Sequence, residues 1–111
     1  MVKSFLNRKK NLRIAVCRAG NVVGGGDWSS NRLIPDIMRS IYNKRKLQLR
    51  NQNSTRPWQH VIEPLVGYLL LAEKLSEKNG KNFSEPWNFG PSLKQNMKVK
   101  HLVYLFKKKL K

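Results

Sequence analysis

Acidic residues are what this chain has least of: six Asp plus Glu stand against 23 Lys plus Arg, a formal net charge of +17 over 111 residues. A surface cation therefore has few acids to pair with, and the balance attracts polyanions such as nucleic acid or anionic lipid. Cysteine is nearly absent too. Cys17 stands alone, which excludes an intramolecular disulfide, fits a reducing cytoplasm, and in its apolar run reads as a small buried hydrophobe. Long hydrophobic runs are missing: Leu65 to Ala72 is far too short to span a bilayer, and the basic N-terminus is not followed by the apolar core of a signal peptide. His60 and His101 are far apart, without Cys or carboxylates at ligand spacing, so no metal site is expected. The length suits one domain rather than two.

The basic residues that are present come in bursts, Lys3 to Arg13, Arg39 to Arg50 and Lys94 to Lys111. They are mostly lysines near element ends, a pattern that a solvated surface explains as well as a groove for nucleic acid. Between the bursts the apolar residues alternate in period. Val2 to Arg8 predicts the last turns of a helix, and Leu12 to Cys17, apolar and ended by glycine, a buried strand. A glycine loop then runs to Asn31. Ile34, Ile37, Met38 and Ile41 fall at helical spacing, so a helix begins near Pro35, which a first turn tolerates. Leu47 to Arg50 and Trp58 to Ile62 read as short extended segments around a polar turn at Asn51 to Thr55.

From Glu63 and Pro64 a second helix is expected to Lys78, stopped by Gly80, and its apolar residues on nearly every side predict burial all round. Trp87 to Phe89 is a further short strand. Val99, Leu102, Val103, Phe106 and Leu110 give a final helix with a lysine-rich outer face. Short strands alternating with helices make an α/β unit, with no repeat and no low-complexity linker.

Three segments join such elements to polar groups that can face a ligand. Arg18-Ala19-Gly20-Asn21-Val22-Val23-Gly24-Gly25-Gly26-Asp27-Trp28 ends a strand in a glycine run, where the backbone can take positive φ and approach a ligand closely, or can simply turn. Arg56-Pro57-Trp58-Gln59-His60-Val61-Ile62-Glu63-Pro64 and Trp87-Asn88-Phe89-Gly90-Pro91 follow. Together with Arg32-Leu33-Ile34-Pro35-Asp36, and in this order, they resemble the CDP-glucose 4,6-dehydratase family of the extended short-chain dehydrogenase/reductase superfamily.

The resemblance implies a partial α/β fold of that superfamily: a late Rossmann strand and the glycine loop over 1–31, and a substrate-binding α/β segment over 32–111. It implies a lyase reaction in which bound NAD takes a hydride from C4 of the hexose, water leaves across C5 and C6, and the hydride returns to C6. The product is CDP-4-dehydro-6-deoxyglucose, a precursor for surface polysaccharide. It also implies a cytoplasmic enzyme, able to form a homo-oligomer when full length, that takes the nucleotide sugar CDP-glucose and meets nucleic acid only non-specifically.

Two features of the family are missing. No Gly-x-x-Gly-x-x-Gly turn occurs to seat the NAD pyrophosphate. Tyr42 and Tyr104 have lysines four positions on, at Lys46 and Lys108, yet both follow the glycine loop, whereas the family's Tyr-x-x-x-Lys pair precedes it. The chain is therefore expected to be a middle-to-late segment of a dehydratase with no catalytic residue of its own; a basic nucleic-acid-binding module and a non-functional remnant are the alternatives.

Seven residues are carried over as substrate-binding. Asn21 would hydrogen-bond near the hexose and diphosphate, or else hold its own turn. Arg32 and Leu33 match the family's substrate-contacting pair at a helix start, where backbone amides favour an anion. Gln48 and Arg50 match an extended stretch touching the nucleotide, and Arg56 a diphosphate clamp suited to a guanidinium fork. Asn88 would reach the nucleotide end, or close a strand-end turn. Trp28, Trp58 and Trp87 are assigned to packing, and His60 to structural hydrogen bonding.

Overall fold

The computed structural model describes residues 12–92, 94 and 96–110, so the helix expected over 2–8 lies outside the described residues. The elements in chain order are β1 (Val16–Ala19), β2 (Asn21–Val23), α1 (Leu33–Tyr42), β3 (Thr55–His60), α2 (Ile62–Ser76), a 3₁₀ turn (Gly80–Phe83), β4 (Pro86–Phe89), β5 (Asn96–Lys98) and α3 (Val99–Lys109). They form two compact units. The first holds the described residues up to Ala19 together with Ile62–Phe89, and the second holds Gly20–Val61 with the chain from Gly90 onward.

In the first unit β1 and β4 pair in parallel, Val16 opposite Pro86 and Ala19 opposite Phe89. Leucine and alanine favour helix in α2, and Glu63 and Pro64 suit its first turn. Gly67 lets this helix approach β4, because a Cβ there would collide with the Phe89 ring. Next to it the Tyr68 ring meets Phe89 edge-on, centroids 5.2 Å apart. At the helix end Arg13 Nη1 donates to the carbonyls of Leu75, at 2.7 Å, and of Glu77, a cation placed where a helix leaves carbonyls without amide partners. Trp87 stacks with Phe83 and its Nε1–H donates to the Phe83 carbonyl at 3.1 Å, as its assignment to packing requires.

Three expectations fail in this unit. The strand placed at Leu12 to Cys17 starts instead at Val16 and runs to Ala19, and Cys17 is exposed rather than buried. Among the described residues β1 has β4 as its one strand neighbour, so most of its surface meets solvent. Nor is α2 buried all round. Pro64 and Leu71 are buried, while Leu65, Val66, Leu69 and Leu70 are exposed, Leu69 by 72%; a two-stranded sheet covers one side of a helix only.

The second unit holds a three-stranded sheet in the order β2, β3, β5. β2 runs parallel to β3 and β5 antiparallel to it. Its core is Ile37 of α1, 1% exposed, with Val99 and Val103 of α3, and Leu33, Ile34, Leu47, Leu49 and Phe106 pack around them. The helical spacing read from the sequence is what aligns these residues. Here also the structure departs from expectation. The glycine run is not all loop, since Asn21 already belongs to β2, and α1 begins at Leu33, two residues before Pro35. Trp28, assigned to packing, is 60% exposed, because it lies in the loop between β2 and α1.

Among the described residues Ile37 is the one large side chain that is fully enclosed. Ile37→Ala should destabilise the second unit by about 2–5 kcal/mol, the usual cost of removing a buried aliphatic side chain. Urea denaturation followed by hydrogen exchange of α1 and α3 would check this; unchanged exchange there would contradict the packing described.

Candidate functional site

The site is built on one face of the three-stranded sheet. Asn21 of β2 is the register partner of Trp58 of β3, so their side chains point to the same side. Arg56 lies two residues before Trp58 and shares that face through the two-residue period of a strand. All three line a cavity of about 300 Å³. β3 is held in place from the other edge, where Arg56 is opposite Met97 of β5. Its entry is fixed by the polar turn before it: Ser54 N–H donates to Asn51 Oδ1 at 3.2 Å, and the Ser54 carbonyl accepts from Val99 N–H at 3.0 Å.

The opposite wall comes from residues 47–50, an extended stretch without ladder bonds. Leu47 and Leu49 turn to the core, and the alternation leaves Gln48 and Arg50 exposed at the cavity. Arg50 Nη2 donates to Asn31 Oδ1 at 3.1 Å, which ties this wall to the residue just before α1. Asn31 has φ +61°, a left-handed conformation that asparagine tolerates better than most residues. Arg56 makes one weak local bond, Nη1 to the Thr55 carbonyl at 3.3 Å, and none of the ion pairs among the described residues engages it.

A second cavity of about 310 Å³ shares Asn21, Asn31, Leu33 and Trp58 with the first and adds Arg32 and Asp27. Here the N-terminus of α1 begins. Its N-cap residue Arg32 makes no side-chain capping bond, and the first-turn amides carry the positive end of the helix dipole. The loop leading to it is pinned by Arg39, whose Nη1 donates to the Trp28 carbonyl at 2.6 Å while Nη2 donates to the Ser29 carbonyl at 2.9 Å and to Asp36 Oδ1 at 2.5 Å. That fork also ties up Asp36, the first-turn acid of α1. Asp27 pairs loosely with Arg32 at 4.0 Å.

The structure thus brings together Asn21, Arg32, Leu33, Gln48, Arg50 and Arg56 around two adjoining cavities. Asn88 lies in β4 of the first unit, exposed, and lines neither cavity. Sequence reasoning missed three participants: Asn31, Arg39 and the indole of Trp58. Trp58 Nε1–H is buried without a hydrogen-bond partner, which packing does not explain, since a buried donor left unpaired costs about 1–3 kcal/mol. Its spacing of two from Arg56 on a strand was the available signal. Among the described residues, no three His, Cys, Asp or Glu side chains gather as metal ligands, and no helix is long and apolar enough to cross a membrane.

Comparison with known proteins gives this geometry a context. Over 104 residues the chain is 52% identical to the CDP-glucose 4,6-dehydratase of Salmonella typhimurium, an alignment covering 90% of this chain. The chain resembles CDP-glucose 4,6-dehydratase across nearly its whole length. It spans 29% of that relative. No protein-family model matches. Among solved structures, a dTDP-glucose 4,6-dehydratase of Streptomyces venezuelae with NAD bound superimposes with a TM-score of 0.74 at 21% identity, covering 98% of this chain and 31% of that one. A UDP-glucose 4-epimerase of Thermotoga maritima with UDP-glucose gives 0.71 at 21% identity, covering 97% and 33%. The fold is therefore a partial α/β domain of the extended short-chain dehydrogenase type, the α/β class that the sequence predicts, with two parallel strand pairs and one antiparallel pair.

Among the described residues, the glycine run does not have the geometry of a dinucleotide seat. Gly24 serves packing, since a Cβ there would come 2.7 Å from Val61 Cγ1, while Gly25 and Gly26 have nothing within 4 Å and Gly26 forms a turn at φ +77°. Residues 27–32 intervene before α1, so this glycine run does not open directly into a helix, as a pyrophosphate seat requires.

Asp27 is the acid whose state follows from this loop. A hydrogen bond from the Ser29 side chain, then its backbone N–H donating at 3.0 Å, hold the Asp27 carboxyl below the ordinary value of 3.8, with Arg32 and Arg39 adding attraction. A lowered carboxylate pKa means that the loop contact is present above the ordinary value and is lost as pH falls through the lowered one. An NMR titration should place the Asp27 midpoint below 3.8 and show it moving upward in Ser29→Ala; an unmoved midpoint would contradict the described loop.

Proposed function

We propose that this chain is the substrate-binding segment of a nucleotide-sugar 4,6-dehydratase and that its second unit takes the nucleoside diphosphate part of CDP-glucose. The observation that carries the reading is the convergence of Asn21, Arg32, Gln48, Arg50 and Arg56 on two adjoining cavities, within a chain 52% identical to a CDP-glucose 4,6-dehydratase. Arg56, without a carboxylate partner among the described residues, is the diphosphate clamp, since a guanidinium fork pairs two phosphate oxygens at once. Arg32 and the first amides of α1 give a second positive wall. Gln48 and Arg50 face the nucleotide, and Asn21 with the unpaired Trp58 N–H offers donors to a sugar or phosphate oxygen.

In the whole enzyme the reaction gives CDP-4-dehydro-6-deoxyglucose, with NAD as the hydride carrier. The family's glycine turn for the hydride carrier does not occur in this sequence, nor does its Tyr-x-x-x-Lys pair ahead of the glycine loop. Its own residues bind and orient: they hold the charged diphosphate at a fixed place so that the hexose is presented at a defined distance. The high positive charge assists encounter with the dianionic ligand, and duplex DNA is bound only through counterion release, lost steeply as salt rises.

Calorimetry with CDP-glucose is the test. Arg56→Ala should weaken binding by about 1.5–3 kcal/mol, the range for a hydrogen bond to a charged group, and Trp58→Phe, which keeps the ring and removes the N–H, by about 0.5–1.5 kcal/mol. Affinity unchanged in both variants would overturn the site. Incubation of the chain with NAD and CDP-glucose should yield no 4-keto product; turnover would show that it carries catalytic groups after all.

A further inference from the structure

Among the described residues each of the two adjoining cavities is lined by a single carboxylate, Asp36 in the first and Asp27 in the second. A site built for a diphosphate has no use for either. Asp36 has its own reason to be there: it stands in the first turn of α1, where the positive end of the helix dipole favours an acid. The helix start and the ligand therefore make opposite demands on one residue. Arg39, three positions further along the same helix face, meets both. Its Nη2 donates to Asp36 Oδ1 at 2.5 Å, and the same guanidinium donates to the Trp28 carbonyl at 2.6 Å and to the Ser29 carbonyl at 2.9 Å. Three acceptors fix the cation against the carboxylate. Arg39 lines neither cavity; it lines a neighbouring groove in which Asp36 also takes part.

We propose that Arg39 is a positioning residue for the diphosphate: by masking Asp36 it takes the one acid out of the first cavity's charge balance and so sets the preference of the site for anionic over neutral ligands. This rests on the binding reading above. The physical argument is one of sign. A carboxylate left free in the cavity would either pair with the Arg56 guanidinium or repel the phosphates, and in both cases the clamp would lose strength. Held by Arg39, the acid adds no net charge, and Arg50 and Arg56 remain as the charged groups of the lining. Folding stability is not what the pair supplies. The Arg39 and Asp36 side chains keep 31% and 40% of their surface exposed, and ion pairs of that kind contribute little to it. A guanidinium fork is needed to hold the loop carbonyls as well, whereas a lysine in its place would still neutralise the acid.

The test compares binding of CDP-glucose and of uncharged cytidine to the full chain at low salt, by calorimetry and NMR titration. Arg39→Gln should weaken CDP-glucose by about tenfold and cytidine by less than about twofold, the signature of a like charge set before an anion. Adding Asp36→Asn to Arg39→Gln should restore CDP-glucose affinity to within about threefold of the unmodified chain, since the double variant has no charge left to mask. Two further variants give a reading where Arg39→Gln does not fold. Arg39→Lys keeps the cation and gives up the fork, and Asp36→Asn leaves Arg39 on its two carbonyls; each should hold CDP-glucose affinity within about threefold. Equal loss of both ligands in Arg39→Gln, no recovery in the double variant, a loss of about tenfold in Arg39→Lys, or binding about tenfold tighter in Asp36→Asn would each overturn the masking role. Any of these with CDP-glucose still bound by the unmodified chain overturns the masking alone; an unmodified chain that binds neither ligand overturns the binding site together with it.

Discussion

The register of β2 on β3 is the constraint on which the site depends. With Asn21 opposite Trp58, both side chains emerge on one face, and Arg56 follows two residues away; a slip of one residue would send Trp58 and Arg56 to the other side. Small residues make that register possible. A Cβ at Gly20 would come 3.2 Å from Pro57 and one at Gly24 2.7 Å from Val61, just after β3, so the missing side chains ease the approach of both ends of the β2 segment to β3. Two of the glycines that first suggest a ligand loop, Gly20 and Gly24, therefore act through strand approach, while Gly25 and Gly26 meet no neighbour and Gly26 makes a turn.

Charge is organised around the same constraint. Six acids must serve a chain with 23 strong bases, and those in the second unit are committed to structure. Asp36 is held by Arg39, whose guanidinium also secures the Trp28 and Ser29 carbonyls, and Asp27 accepts from Ser29. Arg56 is left facing the cavity without an acid partner. Screening limits the energetic worth of the exposed pairs, so the Arg39 fork matters more for holding the loop before α1 than for net stability.

Much of the fold was legible because periodicity reports burial. Val99, Leu102, Val103 and Phe106 mark α3, and Ile34 and Ile37 mark α1, since a helix with one apolar stripe has one place to put it. The failures have a common origin in burial that depends on neighbours. Cys17 and the apolar residues of α2 are hydrophobic enough for a core, but exposure is decided by whether a layer lies against them, which composition does not state. β2 was hidden by its short length and by the glycines around it, and β5 by its polar residues Asn96 and Lys98. In the candidate site, residues with a motif match could be named individually from the sequence. Asn31, Arg39 and the Trp58 N–H were not, because their roles arise from hydrogen bonding across the fold: Arg39 reaches back to Trp28, and Arg50 to Asn31.

The central claim is that one face of the second unit holds the nucleoside diphosphate of a nucleotide sugar. The most direct measurement is an NMR titration of the isotopically labelled chain with CDP-glucose, following backbone amides, arginine side chains and the three indole N–H groups. The account predicts that the largest shifts fall on Asn21, Arg32, Leu33, Arg50 and Arg56 and that the Trp58 indole signal moves while those of Trp28 and Trp87 stay near their free positions. Shifts spread instead over the lysines of α3, or absent from the Trp58 indole and Arg56, would contradict it.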